Sequence, residues 1–121
     1  MSGETFRPSS VSLEDNLKKA LTELLVLRLL SQRDYFIGEL SETLKQQSGG
    51  VLKLVFPYSA IYRLQQIGYI TTGDKRIAAD GRKRQFFSIS QEGRTHYTEL
   101  LETYRRFISG VDTVLAEDHI E

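Results

Sequence analysis

Residues 68–90, "GYITTGDKRIAADGRKRQFFSIS", say most about the fold of the chain, because its hydrophobic period changes there to two. Two runs of β-branched and aromatic residues flank Asp80-Gly81, the usual signal for a tight turn between antiparallel strands. The stretch therefore predicts a β-hairpin. Residues 75–84 hold five Lys or Arg and one Asp, so the tip and flanks of this hairpin are strongly basic.

The basic hairpin is unusual because the chain as a whole is neutral, with 16 Lys and Arg against 16 Asp and Glu. Residues 1–52 carry 6 basic and 7 acidic side chains, residues 53–90 carry 7 and 2, and residues 91–121 carry 3 and 7. Positive charge gathered in one third of a chain costs self-repulsion. It therefore indicates a surface that meets something anionic, although a solvated hairpin is the plainer reading of such a run.

Length and composition exclude several classes of protein. A chain of 121 residues with 40% hydrophobic residues predicts one compact domain with an ordinary core. The absence of cysteine excludes disulfides, thiolate zinc sites and cysteine nucleophiles. Residues 1–16 lack the pattern of a signal peptide, and the apolar-rich residues 20–30 are too few and too charged to span a bilayer. We therefore expect a cytoplasmic protein with no membrane partner.

Two helices are predicted at the start of the chain. After a flexible leader over residues 1–11, a helix is expected to begin at Ser12 as N-cap and to be apolar on most sides, which indicates burial from several directions. The second helix is expected to open on Asp34 and to stop at Gly49-Gly50, as helix C-termini commonly do. A short turn should follow it.

The third predicted helix has Pro57 at its first position, ends near Gly68, and places Tyr58, Ile61 and Leu64 on one face. The other face is expected to expose Ser59, Tyr62, Arg63 and Gln66. The sequence leaves two readings of Tyr58 open, as a core residue or as a contact residue.

The last predicted helix starts at Ser90 and extends over residues 91–116, ahead of a frayed acidic tail at 117–121. Its apolar residues alternate at intervals of four and three, which is typical of a coiled-coil seam. They are Tyr97, Leu101, Tyr104, Ile108, Val111 and Leu115. A small domain has too little chain of its own to cover so long a helix, so a second copy is the expected partner.

The order helix, helix, helix, hairpin, helix predicts a mainly α fold with a β-hairpin wing: a winged helix-turn-helix domain over residues 12–90 and a dimerisation helix over 91–116. Such domains place the third helix in the major groove of DNA and the wing on phosphates or in the minor groove. The candidate DNA-binding residues are Lys53, Tyr58, Ser59, Tyr62, Arg63, Lys75, Arg76, Arg82, Lys83 and Arg84.

Three segments together resemble the PadR-like transcriptional regulators: "DYFIGEL" (34–40), "LKLVFPYSAIYRLQQIGYI" (52–70) and "DGRKRQFFSISQEGR" (80–94). The resemblance implies a homodimeric repressor of transcription whose first and last helices form the dimer interface. In that family a small molecule bound near the interface often relieves repression, so the effector expected here is a small molecule or a protein, of a kind the residues do not identify. The expected interface residues are Leu17, Leu21, Leu24, Tyr97, Leu101, Tyr104, Ile108 and Val111.

Catalytic and metal sites are not expected. We interpret His96 and His119 as ordinary histidines without acidic partners on the same helical face, and the acidic residues near the C-terminus as a solvated tail, so neither an enzyme nor a cofactor is predicted. One alternative from another class remains, a winged module that binds a partner protein through aromatic residues such as Phe56, Tyr58 and Tyr62. Binding to duplex DNA that weakens steeply with salt would separate the two hypotheses.

Overall fold

The computed structural model describes residues 9–116. Its elements are α1 (Ser9–Gln32), β1 (Tyr35–Phe36), α2 (Ile37–Gln47), α3 (Tyr58–Ile67), β2 (Ile70–Ile77), β3 (Lys83–Ile89) and α4 (Gln91–Leu115). The predicted winged helix fold, three helices followed by a hairpin and a long helix, is confirmed.

The three strands form one antiparallel sheet in the order β1-β3-β2. In the hairpin, Ile70 pairs with Ile89 and Ile77 pairs with Lys83, and the register shifts between Thr72 and Lys75. Residues 78–82 connect the strands through the predicted turn, where Gly81 has a φ of 82° that favours glycine. The turn is closed by the Ala78 N–H, which donates to the Arg82 carbonyl oxygen at 2.8 Å.

The short strand β1 was not predicted, and its presence corrects the expected start of the second helix. Tyr35 pairs with Phe87 and Phe36 with Phe86, so the backbone after Asp34 is extended and α2 begins only at Ile37. The helix start is held instead by the Glu39 carboxylate, which accepts the Phe36 N–H at 3.3 Å. Asp34 is thereby left free to pair elsewhere.

The core forms where the C-terminal half of α1 meets the other elements. Val26, Leu27, Leu29 and Leu30 are all nearly inaccessible, which confirms that a helix apolar on most sides is buried from several directions. Their partners include Leu40 and Leu44 of α2, Ile61 and Leu64 of α3, and Tyr35, Ile70 and Phe87 of the sheet.

The first helix begins earlier than predicted. Because α1 already includes Ser9, Ser12 lies inside the helix and is not its N-cap, and residues 9–11 do not belong to a flexible leader. The rest of the predicted leader, residues 1–8, lies outside the described residues, as does the predicted tail at 117–121 with His119.

The connection between α2 and α3 is longer than the predicted short turn, since it covers residues 48–57. Its side chains alternate between buried and exposed, with Leu54 and Phe56 buried and Val55 88% exposed. Pro57 is the N-cap of α3 and not its first helical residue, and its carbonyl oxygen accepts the Ala60 N–H at 3.1 Å. The connection thus fills the core beneath α3 while Lys53 stays exposed.

The start of α4 at Ser90 is confirmed, and a close backbone approach explains the glycine that follows. The Ser90 hydroxyl accepts the Gly93 N–H at 3.0 Å, and the Ser90 N–H donates to the Tyr69 carbonyl oxygen at 3.0 Å. A Cβ atom at Gly93 would lie 2.0 Å from that same Tyr69 oxygen. Only glycine therefore fits where α4 crosses the chain that leads into β2.

Gly93→Ala should lower the free energy of unfolding by about 1 to 3 kcal/mol, because the new methyl group collides with backbone and must displace the helix. Gly110→Ala is the matched control on the same helix, with nothing within 4 Å of the new methyl group. It should stabilise by about 0.5 to 1 kcal/mol through helix propensity. Chemical denaturation of both variants checks this, and equal effects would contradict the close approach.

Candidate nucleic-acid interface

The outer face of α3 is polar and aromatic. Ser59, Tyr62, Arg63 and Gln66 are exposed, as expected, opposite the buried Ile61 and Leu64. Of the two readings of Tyr58, the structure supports the exposed one, since 61% of the residue is accessible. Its ring lies 6.0 Å from that of Tyr62, so the two tyrosines form a pair on the edge of the helix.

A cleft of about 240 Å³ separates this tyrosine pair from the wing. Tyr58 and Tyr62 line one side of the cleft, and Arg84 and Gln85 of β3 line the other, with Phe36 between them. The Arg84 guanidinium lies 5.1 Å from the centre of the Phe36 ring. The cleft shows that the exposed face of α3 and the wing belong to one continuous surface.

Two of the wing arginines are bound within the chain. Arg84 pairs with Asp80 across the turn at 2.6 Å. Arg76 pairs with Asp34 at 2.5 Å and lies 4.5 Å from the centre of the Phe86 ring. These two cations hold the wing to its own turn and to the body of the domain.

The other three basic residues of the wing, and Lys53 ahead of α3, form no ion pairs within residues 9–116. In the part of the chain that the structure describes, no ion pair involves Lys53, Lys75, Arg82 or Lys83. Arg82 and Lys83 lie at the tip of the wing, Lys75 lies on β2, and all are exposed. The basic run is thus divided into cations that stabilise the wing and cations that are available to an anion.

Arg63 lies on the opposite edge of α3 from the tyrosine pair. Its guanidinium is 3.4 Å from the carboxylate of Glu23 on α1, beside a groove of about 210 Å³ between the two helices. Glu23 could not be predicted as the partner of Arg63, because forty residues separate the two and no local spacing links them. Asp34 was missed as the partner of Arg76 for the same reason.

Five of the predicted dimer residues line one groove where α4 packs against α1, namely Leu17, Leu21, Leu24, Tyr104 and Ile108. Leu21, Leu24, Tyr97, Leu101, Tyr104 and Ile108 are half-buried, and Leu17 and Val111 are exposed. An apolar groove of about 380 Å³ runs between the two helices. Phe107 lines this groove and is 71% exposed, and Val114 further along α4 is 70% exposed, so one copy of the chain leaves much of the apolar surface of α4 uncovered.

The expectation that His96 has no acidic partner on its helical face is wrong. Its Nε2 lies 2.9 Å from Glu23 of α1, and its Nδ1 lies 3.9 Å from Glu99, three residues further along the same face of α4. Its ring stacks on Tyr69 at 4.2 Å between centroids. Within residues 9–116, no group of three or more His, Cys, Asp or Glu could hold a metal ion.

Comparison with known proteins supports the fold. No family model matches the chain, and no curated protein matches its sequence. Among solved structures, the chain is similar to a PadR-like transcriptional regulator from Bacillus cereus, with a TM-score of 0.70 and 21% identity over 83% of this chain and 96% of that one. It is also similar to a transcriptional regulator from Clostridium thermocellum, with a TM-score of 0.64 and 19% identity over 96% and 100% of the two chains.

A third solved structure, a transcriptional regulator from Streptococcus, has a TM-score of 0.68 and 23% identity over 81% of this chain and 95% of that one. The chain therefore has the winged helix fold of PadR-like transcriptional regulators, in agreement with the resemblance seen in its sequence.

No helix within residues 9–116 is long and apolar enough to cross a membrane.

The acids that hold the wing arginines titrate below their ordinary range. The hydrogen bond from Arg76 lowers the pKa of Asp34 below 3.8, and partial burial opposes the shift. The hydrogen bond from Arg84 lowers the pKa of Asp80 in the same way, with help from the Arg82 N–H. Both acids are therefore ionised at neutral pH, and both ion pairs of the wing are formed there.

Asp34→Asn should lower the free energy of unfolding at about pH 6 to 7 by about 0.5 to 1 kcal/mol, since the pair is partly exposed and screened by solvent. A carboxylate whose pKa is lower in the folded chain stabilises the fold above the unfolded value of 3.8. That contribution is lost as the pH falls through the folded pKa. The difference between parent and variant should therefore shrink on acidification below pH 3.8.

Denaturation at several pH values checks this, with Glu42→Gln as a control. Glu42 is exposed on α2 and has no ion-pair partner among the described residues, so its loss should leave stability at neutral pH nearly unchanged. A difference for Asp34→Asn that stays constant down to the acid limit would show that the contact with Arg76 is not ionic.

Proposed function

We propose that the protein is a DNA-binding regulator of transcription of the PadR-like kind, acting as a homodimeric repressor. The observation that carries the proposal is the cleft that Tyr58 and Tyr62 of α3 share with Arg84 and Gln85 of β3, together with the exposed Arg82 and Lys83, unpaired among the described residues, at the tip of the same wing. The fold supports it, since the solved structures similar to this chain include many transcriptional regulators. A repressor acts where DNA is, so we place the protein in the cytoplasm.

The dimensions and chemistry of α3 suit the major groove. The groove admits one helix, and the exposed Ser59 and Gln66 offer hydrogen-bonding groups to base edges. Tyr58 and Tyr62 offer an apolar surface to a thymine methyl group, with hydroxyls that can reach a phosphate. Base recognition is thus assigned to α3.

The wing and the connection before α3 are assigned to the DNA backbone. Lys53, Lys75, Arg82 and Lys83 are exposed cations, and a cation that contacts a phosphate gains affinity by releasing condensed counterions. Arg76 and Arg84 belong to the same surface but are held by carboxylates, so we assign them mainly to the shape of the wing.

The α1–α4 face is assigned to a second copy of the chain. Its apolar residues lie on both helices, and a symmetric partner would cover the same residues on each copy. A dimer presents two copies of α3 to successive turns of one side of the duplex, as helix-turn-helix dimers do. The effector implied by the family resemblance would be held at this interface.

A partner protein in place of DNA is the second candidate function. Val51 is 73% exposed and Val55 88% exposed, and both precede the exposed Tyr58 along the chain. Exposed apolar and aromatic side chains in one region are typical of protein interfaces. Binding to duplex DNA distinguishes the two candidates directly.

Replacing Arg82 and Lys83 together by Gln should flatten the salt dependence of DNA binding. The slope of log affinity against log salt falls by about 0.9 for each phosphate that is no longer neutralised, so a dimer with four fewer cations at phosphates would change by about 3.6. We expect a change of this sign and up to this size. Binding of parent and variant to a duplex selected from a random pool, titrated at several salt concentrations, measures it.

The matched control replaces Arg105 and Arg106 of α4 by Gln. This removes the same charge from a helix that carries none of the candidate DNA contacts, so the slope should stay close to that of the parent. Equal slopes for the wing variant and the parent would show that the wing does not touch DNA. A parent that binds no duplex at low salt would favour the partner-protein function.

Leu101→Glu should convert the dimer to a monomer. Leu101 belongs to the seam, and a carboxylate placed in an apolar interface without a partner costs several kcal/mol. Arg106→Glu introduces the same group on the exposed side of the helix and should leave a dimer. Sedimentation with circular dichroism measures mass and helix content, and a folded Leu101→Glu dimer would refute the interface.

A further inference from the structure

Glu23 occupies a position shared by three helices. It lies on α1, where its carboxylate is 3.4 Å from Arg63 of α3 and 2.9 Å from His96 of α4, and its side chain is 24% exposed. The same residue lines the groove between α1 and α3 and the apolar groove between α1 and α4. One half-buried acid therefore connects the DNA-reading helix with the proposed dimerisation helix.

The two partners of this acid are held differently. His96 is nearly as buried as Glu23 and is fixed by its stacking on Tyr69, with the two rings inclined by 13°. Arg63 has a side chain that is 57% exposed and a longer contact with the carboxylate. Of the two, the arginine is the one that can leave.

We propose that Glu23 is an internal competitor of DNA for Arg63, and that His96 sets the strength of this competition. The inference rests on the proposed function, because it assigns a partner to Arg63 in the absence of DNA. Glu23 thereby acts as a positioning residue, which touches no base or phosphate itself but determines how readily Arg63 does.

The competition follows from the charges. Arg63 pairs either with the Glu23 carboxylate or with a phosphate or base edge, and leaving the carboxylate costs part of the affinity that the new contact supplies. A carboxylate only accepts hydrogen bonds, so His96 is the donor in this contact, and a second donor that shares the charge of the carboxylate weakens its hold on Arg63. A movement of α4 relative to α1 would therefore change how readily Arg63 of α3 contacts DNA.

The other charged groups near this site come from two elements. Lys19 of α1 lines the same groove as Arg63, and Glu92 and Glu99 of α4 lie beside His96 in a surface depression that Tyr69 also lines. Among the described residues, the ion pairs of Glu23 are those with Arg63 and His96. The test can therefore be confined to these three side chains.

The test is a set of variants measured for affinity to one selected duplex at several salt concentrations. Glu23→Gln should raise affinity by roughly two- to fivefold per subunit, the value of a partly exposed ion pair. It should also steepen the salt dependence by up to about 0.9 per subunit, the value reached when the released Arg63 contacts a phosphate and not a base edge. His96→Phe, which keeps a ring against Tyr69 but removes the donor to Glu23, should lower affinity.

The decisive measurement repeats both changes in the background of Arg63→Ala. The effects of Glu23→Gln and His96→Phe on affinity should then disappear, because Glu23 no longer has an arginine to withhold from DNA. Glu14→Gln, on the same helix and paired only with Lys18 among the described residues, removes an equal charge and controls for the general effect of one acid less. Thermal unfolding of each variant checks that the fold is retained.

Three results would overturn the proposal: an affinity of Glu23→Gln equal to or below that of the parent, an equal gain in Glu14→Gln, or a gain that persists without Arg63. Each of them leaves the proposed function standing, provided that the parent binds duplex with a steep salt dependence. A parent that binds no duplex defeats the proposed function itself, and this inference with it.

Discussion

The arrangement of the molecule depends on the place where β3 ends and α4 begins. Ser90 both caps the helix and holds the backbone of Tyr69, and Gly93 allows the helix to lie directly against that backbone. These contacts set the direction in which α4 leaves the sheet. Because the wing belongs to the same sheet and α4 packs on α1, the angle at this one crossing relates the proposed DNA surface to the proposed dimer surface.

The positive charge of the middle third of the chain has two physical roles. Arg76 and Arg84 each contact both a carboxylate and an aromatic ring. A two-stranded hairpin alone is only marginally stable, so these contacts fix the orientation of the wing relative to the rest of the domain. Arg82 and Lys83 form no ion pair among the described residues, and both are exposed. A count of basic residues in the sequence overstates the charge that is available for binding.

Most of the fold could be predicted from the sequence, because it is determined by short sequence signals. The Asp80-Gly81 turn, the Ser90 cap, the glycine at the end of α3 and the changes in hydrophobic period all act within a few residues. The errors at Ser12 and Asp34 have the same origin. Both residues are good helix caps by type, but α1 extends through Ser12, while pairing of Tyr35 with Phe87 extends the chain beyond Asp34.

The candidate site could be predicted only in part. The face of α3 follows from helical spacing, so its exposed residues were found, including the arginine. The acidic partners of Arg63 and Arg76 come from distant parts of the chain. The sequence around a cation does not indicate which acid it will contact after folding. The partition of cations into engaged and free ones is therefore a property of the tertiary structure.

The aromatic contacts beneath the wing have a consequence for how the protein would leave DNA. Salt screens the attraction between a cation and a phosphate at an exposed interface, whereas the packing of a guanidinium on a ring acts over a short, partly desolvated distance. Arg76 on Phe86 and Arg84 on Phe36 are contacts of the second kind. Rising ionic strength would then release the protein from DNA while its wing keeps its orientation, so that rebinding would require diffusion and docking but no refolding of the proposed DNA surface.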